Sequence, residues 1–335
     1  MASSLLLPPP FNKVSNTMAR VYITDRITNP DIERSILGDD VSLEFDRNAE
    51  VLMVWRQLVD QDFIDQFPNL KAVQRYGVGY DRLDLAYAKA KGIDVSNNPA
   101  YCTEEVAQTA IAFILNCSRR ITYLDFFAKS NIEKWQQAVT PPAKRVSCTT
   151  VGIIGAGRIG SRVCGYASAL GYRVEYYDPF LSAEQVARLE QIGARRRDSL
   201  DELVRGADII SLHVPATPET MELVDANFLK KMKPGASLVN TSRGSTMVHP
   251  DVFLEFLQSN HLNHLMLDVL PEEPPRPCDF IDIWRMPPDW LKGRILINPH
   301  KSYFSSESAV EMRQAAALNA KRVLDGLRPD FIVNR

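Results

Sequence analysis

Short apolar runs alternate with amphipathic stretches along most of the chain. In the first third, apolar β-branched runs predict five strands, and apolar positions at helical spacing predict helices between several of them. Strands separated by helices are typical of a parallel sheet with helices on its faces. The predicted strands are Val21–Thr24, Val41–Phe45, Val51–Val54, Leu70–Val73 and Ile93–Val95, and the predicted helices are Asp31–Leu37, Asp60–Gln66 and Leu83–Lys91.

A second series of apolar runs predicts another parallel sheet. Because 335 residues are more than one core usually serves, we expect two domains of the α/β class. The last helical pattern, residues 305–327, follows the second series, and we expect it to return to the first domain, which makes that domain discontinuous. The predicted strands of the second series are Val151–Ile154, Tyr172–Tyr177, Asp208–Leu212, Ser237–Asn240, Leu265–Asp268 and Ile295–Ile297.

Two segments lie between the series. Residues 103–115 begin with Thr103, which we interpret as a helix N-cap, and the stretch is apolar on most faces, so we expect a buried helix between the domains. Residues 119–144 are aromatic and rich in helical pattern but lie outside both predicted sheets. They suit either peripheral packing or a dimer arm, and we favour the arm.

Composition excludes several classes of protein. A formal net charge of −2 gives no electrostatic basis for binding nucleic acid or an anionic membrane, and no apolar run is long enough to span a bilayer. Residues 1–18, with their proline cluster and no basic start, predict a disordered lead-in rather than a signal peptide. Five cysteines without metal-ligand spacing predict a reduced, cytoplasmic protein with no metal.

A glycine pattern follows the strand at Val151–Ile154. Gly155, Gly157 and Gly160 have the spacing of a turn that binds a dinucleotide pyrophosphate at a helix N-terminus. Asp178 ends the next strand, 18 positions after Gly160, where a carboxylate can accept hydrogen bonds from an adenosine ribose. The alternative is an ordinary βαβ unit whose glycines only turn the chain. We favour the cofactor site.

Polar residues follow the predicted strands of both series. In the first series, the turn Arg75–Asp81 contains Gly77 and Gly79, and it suits either a nest of amides for a carboxylate or a tight turn to a helix. In the second, His213–Thr217, Asn240–Gly244, Asp268 and His300 each follow a strand. Since carboxyl ends of parallel strands share one edge of a sheet, we expect these residues to form one lip of a cleft.

The motifs together resemble those of the D-isomer-specific 2-hydroxyacid dehydrogenases, from about Val21 to the C-terminus. They include Arg75-x-Gly-x-Gly-x-Asp, the glycine pattern, His213-x-Pro, Asn240-x-x-Arg-Gly, Asp268-Val-x-x-x-Glu-Pro and Pro299-His300. The residues around Pro99 and Pro299 resemble the branch that contains the C-terminal-binding-protein corepressors. The resemblance implies two Rossmann-like, doubly wound parallel domains separated by a cleft. They would be a flavodoxin-like substrate domain (19–117 and 306–335) and an NAD-binding domain (118–305) that forms a homodimer.

The resemblance also implies the residues of the site. The catalytic triad is Arg243, Glu273 and His300. Substrate contacts fall on Arg75, Val78, Gly79, Arg243 and Tyr303. NAD contacts fall on Thr103, Gly155, Gly157, Arg158, Ile159, Gly160, Asp178, Pro179, His213, Val214, Pro215, Thr220, Thr241, Ser242, Asp268 and His300. His249 stands where the family usually has an aspartate, and Lys301–Phe304 replaces small residues after His300.

These residue types suit reduction of a 2-keto acid to a D-2-hydroxy acid. Arg243 can hold carboxylate or carbonyl oxygens, His300 can donate the proton, and Glu273 can orient the imidazole. Asp178 predicts NAD(H) rather than NADP(H), because a 2′-phosphate would meet a like charge. Tyr303, Phe304, Trp284 and Trp290 predict a pocket for apolar side groups. A corepressor-like NAD sensor and a phosphite-type dehydrogenase stay open as alternatives.

Overall fold

The computed structural model describes residues 20–136 and 143–335. They divide into two compact units, one running up to Tyr101 and including Ala309–Arg335, the other comprising Cys102–Ser308. The first boundary between the two units therefore lies after residue 101 instead of the expected residue 117. The reason is that the long helix that starts at Thr103 packs with the second unit. The expected lead-in (1–18) and part of the expected arm (119–144) lie outside the described residues.

The first unit contains a five-stranded parallel sheet in the order β2-β1-β3-β4-β5. This order reverses direction between β1 and β3, as in flavodoxin-like folds. All five expected strands are present, although β4 begins two residues later than its apolar run, because Leu70 lies in the preceding turn. The strands are β1 Val21–Ile23, β2 Val41–Ser42, β3 Val51–Val54, β4 Ala72–Arg75 and β5 Asp94–Ser96, and the helices among them are α1 Asp31–Leu37, α2 Gln61–Ile64 and α3 Leu85–Ala90.

The last helix of the chain, Ser306–Leu324, completes the core of the first unit. Its residues Met312, Ala316 and Ala320 are buried with Val21 and Val51 of the sheet. An ion pair attaches the same helix to α1. Arg313 Nε donates to Glu33 Oε1 at 2.9 Å, and Glu33, which is fully buried, also accepts from the Tyr76 hydroxyl at 2.9 Å. The first unit is thus built from both ends of the described chain.

The second unit contains a seven-stranded parallel sheet in the order β12-β11-β10-β9-β6-β7-β8. The order reverses between β6 and β9, which is where doubly wound folds bind their ligands. Both parallel sheets, with helices between their strands, confirm the expected α/β class. The strands are β6 Thr150–Ile154, β7 Arg173–Tyr177, β8 Arg195–Arg196, β9 Ile209–Leu212, β10 Ala236–Asn240, β11 Leu262–Leu267 and β12 Ile295–Ile297.

Helices cover both faces of the larger sheet. The buried residues of one face centre on Leu203, Phe228, Phe253 and Phe280, and those of the other on Ala110, Val163 and Tyr176. In chain order the helices are α4 Thr103–Arg119, α5 Ile121–Ser130, α6 Arg158–Ala169, α7 Ala183–Gln191, α8 Leu200–Gly206, α9 Ala226–Lys231, α10 Val252–Gln258 and α11 Asp279–Arg285, and the final helix of the first unit becomes α12.

Helix α4 differs from the expectation at its first residue. Its N-cap is Cys102, whose backbone is not helical, and Thr103 is already the first helical residue. The helix packs against α6 through Ala107, Ala110 and Ile114, so its apolar faces are explained within the second unit. None of the described helices combines the length and the apolar content that a membrane crossing needs.

Candidate active site

The glycine turn after β6 requires two of its glycines for packing. Gly155 has φ 83°, and a Cβ there would lie 2.8 Å from the carbonyl oxygen of His213. A Cβ on Gly160 would lie 2.0 Å from the carbonyl oxygen of Gly155. A Cβ on Gly157, by contrast, would meet nothing within 4 Å, although Gly157 is the N-cap of α6. The open space at Gly157 lies at the helix N-terminus, where a pyrophosphate binds in folds of this type.

Asp178 is fixed against that turn. Its Oδ2 accepts from the Ala156 amide at 2.9 Å and its Oδ1 from the Phe180 amide at 2.9 Å, so the carboxylate is held at the end of β7. The structure adds a residue that the sequence did not single out. Arg196, on the short strand β8, donates from Nη2 to the Asp178 carbonyl oxygen at 3.4 Å. A cation is therefore bonded to the backbone of the residue whose carboxylate is expected to contact the ribose.

Two polar atoms at the carboxyl edge of the larger sheet are buried without a hydrogen-bond partner among the described residues, His213 Nδ1 and Thr241 Oγ1. Burial lowers the pKa of His213 to about 3, so its imidazole is neutral, and its Nε2 is paired with Ser211 Oγ at 2.9 Å. Buried polar atoms normally have a hydrogen-bond partner. Two such atoms without one among the described residues, in the loops that follow the adjacent strands β9 and β10, therefore fit a polar ligand bound at this edge. The residues present therefore fit a dinucleotide.

Thr220, an expected cofactor contact, has a structural role in the described fold. Its hydroxyl donates to the Pro215 carbonyl oxygen at 2.6 Å and accepts from the Thr217 amide at 2.9 Å, which ties the loop after β9. The other expected cofactor residues of the second unit lie on the same loops or at helix starts. Arg158 and Ile159 begin α6, Pro179 follows β7, Val214 and Pro215 follow β9, Ser242 follows β10, and Thr103 begins α4.

Asn240 shapes the loop that presents Arg243. Its Oδ1 accepts from the amide and the hydroxyl of Ser242 at 2.9 and 2.7 Å, and its Nδ2 donates to the Arg243 carbonyl oxygen at 3.1 Å. The next residue explains why the sequence reads Arg-Gly. A Cβ on Gly244 would lie 1.8 Å from the carbonyl oxygen of Leu270. Only glycine lets the Arg243 loop approach the loop that carries Glu273 so closely.

Asp268 shapes the loop that presents His300. Its Oδ1 accepts from the amides of Lys301 and Ser302, both at 3.0 Å, and from Asn298 Nδ2 at 2.8 Å. The pKa of the Asp268 carboxyl group is raised above its ordinary value, mainly because the group is buried. These bonds hold His300 at φ 53°, a left-handed conformation that is uncommon for a residue with a side chain. Asp268 thus positions the histidine, and such held strain is often found at functional sites.

His300 and Glu273 form a direct pair. His300 Nδ1 lies 2.6 Å from Glu273 Oε2, and Glu273 Oε1 accepts from the Leu270 amide at 3.1 Å. Both side chains keep access to solvent, with 34% and 24% exposed. The pair leaves Nε2 as the ring nitrogen that can exchange a proton with a bound molecule. The Tyr303 ring lies edge-on to the imidazole, with 6.3 Å between the ring centroids.

The expected substrate residues of the first unit form a turn fixed by asparagines. Asn97 Nδ2 donates to the Val78 carbonyl oxygen at 2.6 Å, and the Asn98 amide donates to the Gly77 carbonyl oxygen at 3.3 Å. Of the two alternatives left open by the sequence, the described backbone favours the tight turn over the nest of amides, because neither Gly77 nor Gly79 has a positive φ. A side chain at position 77 would press only on the end of a flexible side chain. A Cβ there would lie 3.1 Å from the guanidinium of Arg75.

Two tryptophans, Trp284 and Trp290, are expected at the pocket from the sequence. Trp284 packs against the core formed by α10, α11 and the sheet. Trp290 lies beside Arg294, 5.9 Å from guanidinium carbon to ring centroid, and Arg294 immediately precedes β12 at its amino end. His300 follows the carboxyl end of the same strand, so the expectation that Trp290 lines the pocket is wrong, whereas the structure shows for Trp284 only its packing on the core. The aromatic character of Trp290 could not show which end of the sheet it reaches.

The fold and the site together define a dinucleotide-binding oxidoreductase domain, and comparison with known proteins agrees. Residues 111–302 match the family model described as "D-isomer specific 2-hydroxyacid dehydrogenase, NAD binding domain". A glyoxylate reductase of Aeropyrum pernix is 33% identical over 283 residues, which cover 83% of this chain and 80% of that protein.

Two solved structures agree with this result. The D-lactate dehydrogenase of Aquifex aeolicus, complexed with NAD and lactic acid, superposes with a TM-score of 0.78 at 29% identity and covers 91% of this chain and 96% of its own. An NADPH-dependent glyoxylate/hydroxypyruvate reductase of Sinorhizobium meliloti, complexed with NADP and malonate, gives a TM-score of 0.76 at 26% identity and covers 95% and 97%.

The chain belongs to the D-isomer-specific 2-hydroxyacid dehydrogenase family. Family membership makes it a nicotinamide-dependent oxidoreductase with Rossmann-like architecture.

Proposed function

We propose that the protein interconverts a 2-keto acid and a D-2-hydroxy acid with NAD(H), using His300 as the acid and base. The observation that supports this most strongly is the 2.6 Å contact between His300 Nδ1 and Glu273. A carboxylate bonded to one imidazole nitrogen fixes the ring and its tautomer, which commits the other nitrogen to proton transfer. Glu273 is itself held by the Leu270 amide, so the ring is oriented through two fixed bonds.

In the reductive direction, the carbonyl carbon of the 2-keto acid would receive a hydride, which is the chemistry that a bound reduced nicotinamide would supply. The C=O π electrons move to the oxygen, and His300 Nε2–H donates its proton there, which leaves a neutral imidazole and a hydroxy acid. Oxidation runs the same steps in reverse, with neutral His300 taking the hydroxyl proton. Proton transfer by a positioned side chain contributes about 10² to 10⁴ in rate.

Arg243 binds the substrate in this proposal. Its loop is fixed by Asn240 and pressed against Leu270, so the guanidinium is presented from a rigid turn beside the Glu273 loop. A planar guanidinium can hold two oxygens of a 2-keto acid and stabilise the negative charge that develops on the carbonyl oxygen. Arg75, Val78 and Gly79 of the first unit remain the proposed carboxylate contacts.

NAD(H) is the proposed cofactor, with Asp178 accepting hydrogen bonds from the adenosine ribose. Its two carboxylate oxygens are fixed by amides, so the charge cannot swing away from a 2′-phosphate. Arg196 weakens this preference, because its guanidinium lies at the same turn and can offset part of the repulsion. We therefore expect NADP(H) to be disfavoured but still used.

The proposed substrates are 2-keto acids with an apolar side group. Tyr303, edge-on to His300, supports this, and Phe304 continues the aromatic surface. Burying apolar substrate area against these rings is worth about 25 cal/mol per Å². Lys301 lies over the Phe304 ring, 4.8 Å from nitrogen to centroid, so the same loop also carries a cation.

The test is NADH consumption with glyoxylate, pyruvate, hydroxypyruvate, phenylpyruvate and a branched 2-keto acid, with His300→Ala as the control for contaminating reductases. We expect the highest kcat/KM for the aromatic or branched acid, and in the control a kcat/KM lower by about 10² to 10⁴. A highest value for glyoxylate would refute the apolar pocket while leaving the activity intact. No turnover with any acid, together with tight NADH binding, would instead favour the alternative of a corepressor-like sensor.

A homodimer is the proposed assembly, with residues 121–135 as part of its contact surface. This segment carries exposed apolar side chains in a short stretch, namely Ile121, Leu124, Phe126, Ile132 and Trp135. Light scattering after size exclusion should give twice the chain mass, and Ile132→Asp should shift it toward one chain mass. The matched control is Leu318→Asp, an exposed apolar position on α12. An unchanged mass in Ile132→Asp would remove this segment from the interface.

A further inference from the structure

Three metal-binding side chains meet in the second unit at a place that the proposed chemistry does not use. His249, Asp251 and Cys278 each bring one nitrogen, oxygen or sulfur donor to within 4.8 Å of the other two. His249 and Asp251 precede α10, and Cys278 is the N-cap residue of α11. Twenty-seven positions of sequence separate Asp251 from Cys278, so the spacing alone gave no sign of the cluster.

The carboxylate of this cluster is already oriented. Asp251 Oδ1 accepts from the Phe280 amide at 2.7 Å, and its Oδ2 lies 3.6 Å from His249 Nδ1. A hydrogen bond to one carboxylate oxygen fixes the direction of the other, as hydrogen bonds to the ligating side chains do at metal centres. Cys278 makes no side-chain capping bond of standard geometry to α11, and its thiol lies beside Asp251 and the amides of Phe280 and Ile281.

The cluster lies on the wall of a cavity of about 310 Å³. His249 and Cys278 line it together with Leu270, Pro271 and Pro277. A tetrahedral ion held by one sulfur, one nitrogen and one oxygen has a fourth position, and the cavity provides room there for water or a small exogenous ligand. Donors around such an ion lie about 3.5 Å apart at bond lengths of roughly 2.0 to 2.3 Å. Closing from 4.8 Å needs only a small movement, since the His249 side chain is 65% exposed.

We propose that His249, Asp251 and Cys278 bind a divalent transition-metal ion such as Zn²⁺, with a fourth position open to the cavity. The thiolate and imidazole donors select zinc-like ions over Mg²⁺ and Ca²⁺, which prefer oxygen. On binding, the sulfur–hydrogen bond of Cys278 breaks, the thiol proton leaves to solvent, and a sulfur–metal bond forms without any change of oxidation state. Burial and the neighbouring Asp251 raise the pKa of the Cys278 thiol, so the ion has to displace a bound proton.

Cobalt is the probe for the test, because Co²⁺ bound to a thiolate gives a near-ultraviolet charge-transfer band and Zn²⁺ does not. Titration of the full chain should saturate this band at one equivalent of Co²⁺, and added Zn²⁺ should abolish it, since zinc binds such sites more tightly. Cys278→Ser should lose the band. Serine is a favoured N-cap residue, so this change should leave α11 folded.

The matched control is Cys148→Ser, which removes an exposed free thiol elsewhere in the same unit and should leave the band unchanged. His249→Ala, at an exposed position, should weaken Co²⁺ binding by about tenfold or more, since even residues that only hydrogen-bond to a metal ligand change metal affinity by about 10- to 100-fold. The proposal is overturned if the wild type gives no band, if the band survives in Cys278→Ser, or if His249→Ala binds Co²⁺ as tightly as the wild type.

Discussion

Polar groups at the amino ends of the seven parallel strands (the amino edge of the sheet) have partners within the protein, whereas two buried polar atoms at the carboxyl ends (the carboxyl edge) have none among the described residues. At the amino edge, Asp208 accepts from the Thr150 amide at 2.9 Å and from the ammonium groups of Lys144 and Lys233 at 2.8 and 3.3 Å. Arg294, only 7% exposed, donates to the carbonyl oxygens of Leu262, Asn263 and Trp290. These charged groups are saturated by the protein itself.

At the carboxyl edge, by contrast, two polar atoms of the described chain lack partners and one residue has a strained backbone conformation. Among the described residues, His213 Nδ1 and Thr241 Oγ1 are buried there with no partner, and His300 is held in a left-handed conformation by the bonds of Asp268. Polar groups that are hydrogen-bonded within the fold contribute to stability. Buried polar groups without a partner, and residues in a strained conformation, lower stability and are tolerated where a bound ligand supplies the missing hydrogen bonds. We therefore expect substitutions at the amino edge to change stability and those at the carboxyl edge to change activity.

The largest effect should come from His300→Ala. Removing the proposed acid should lower kcat/KM for keto acid reduction by about 10² to 10⁴, with the melting temperature nearly unchanged. Glu273→Gln keeps a hydrogen-bond acceptor but loses the charge, so its kcat/KM should fall by less than that of His300→Ala. The control is His249→Ala, an exposed histidine outside the proposed catalytic residues. A rate for His300→Ala close to the wild type would remove this histidine from the mechanism.

Arg294→Met should have the opposite profile. It leaves three carbonyl oxygens at the amino edge without their donor, and hydrogen bonds to a charged group are worth about 1.5 to 3 kcal/mol each. We expect the free energy of unfolding in urea to fall by about 3 kcal/mol or more, because the contributions of neighbouring bonds are not additive, while kcat stays within about twofold. Arg188→Met, which breaks only an exposed pair with Glu184, should change stability by less than about 1 kcal/mol. Equal effects of the two substitutions would contradict the structural role of Arg294.

The preference for NADH over NADPH tests the role of Asp178, which lies at the carboxyl edge. The ratio of kcat/KM for NADH over NADPH should be on the order of a hundredfold, because a fixed carboxylate faces the 2′-phosphate. Asp178→Ala should narrow the ratio, and Arg196→Ala should widen it by removing the cation that offsets the repulsion. Equal use of both cofactors by the wild type would show that Asp178 does not face the ribose.

The smallest effect concerns pH and stability. Burial lowers the pKa of His264 in the folded state to about 3, below the ~6.5 of a free imidazole. Its contribution to stability is therefore complete above about pH 6.5 and is lost as the pH falls toward 3, by up to about 1.4 kcal/mol per pH unit. Between pH 7 and pH 5 this is about 2 kcal/mol, and urea unfolding of His264→Gln should show a flatter dependence than the wild type. The same slope in both proteins would assign the acid sensitivity to other groups.

Most of the fold could be predicted from the sequence because buried parallel strands are continuous apolar runs. Strand β12 begins and ends at the expected residues, and β3 likewise. Strand β8 was missed because it consists of Arg195 and Arg196, both exposed, with no apolar residue to indicate a sheet. That omission also concealed the arginine beside Asp178, although three consecutive arginines, 195–197, were visible in the sequence.

The site was only partly predictable. Motif spacing identified His300, Glu273 and Arg243, and the structure brings the first two into contact. The sequence could not reveal that Gly244 approaches Leu270, that Trp290 lies at the amino edge, or that Cys278 meets His249. Each of these depends on where two distant segments cross, and neither local pattern nor residue type determines such crossings.

The return of α12 to the first sheet has a consequence for synthesis. The strands that contribute Val21 and Val51 leave the ribosome long before Met312, Ala316 and Ala320, which complete their core. At about 5 to 20 residues per second, translating the roughly 260 residues between Val51 and Met312 takes on the order of 13 to 50 seconds. During that interval the second unit can bury its own core, whereas the first lacks a helix. We therefore expect the unit begun first to be the last to finish folding, and its exposed sheet to be the part of the nascent chain that chaperones contact.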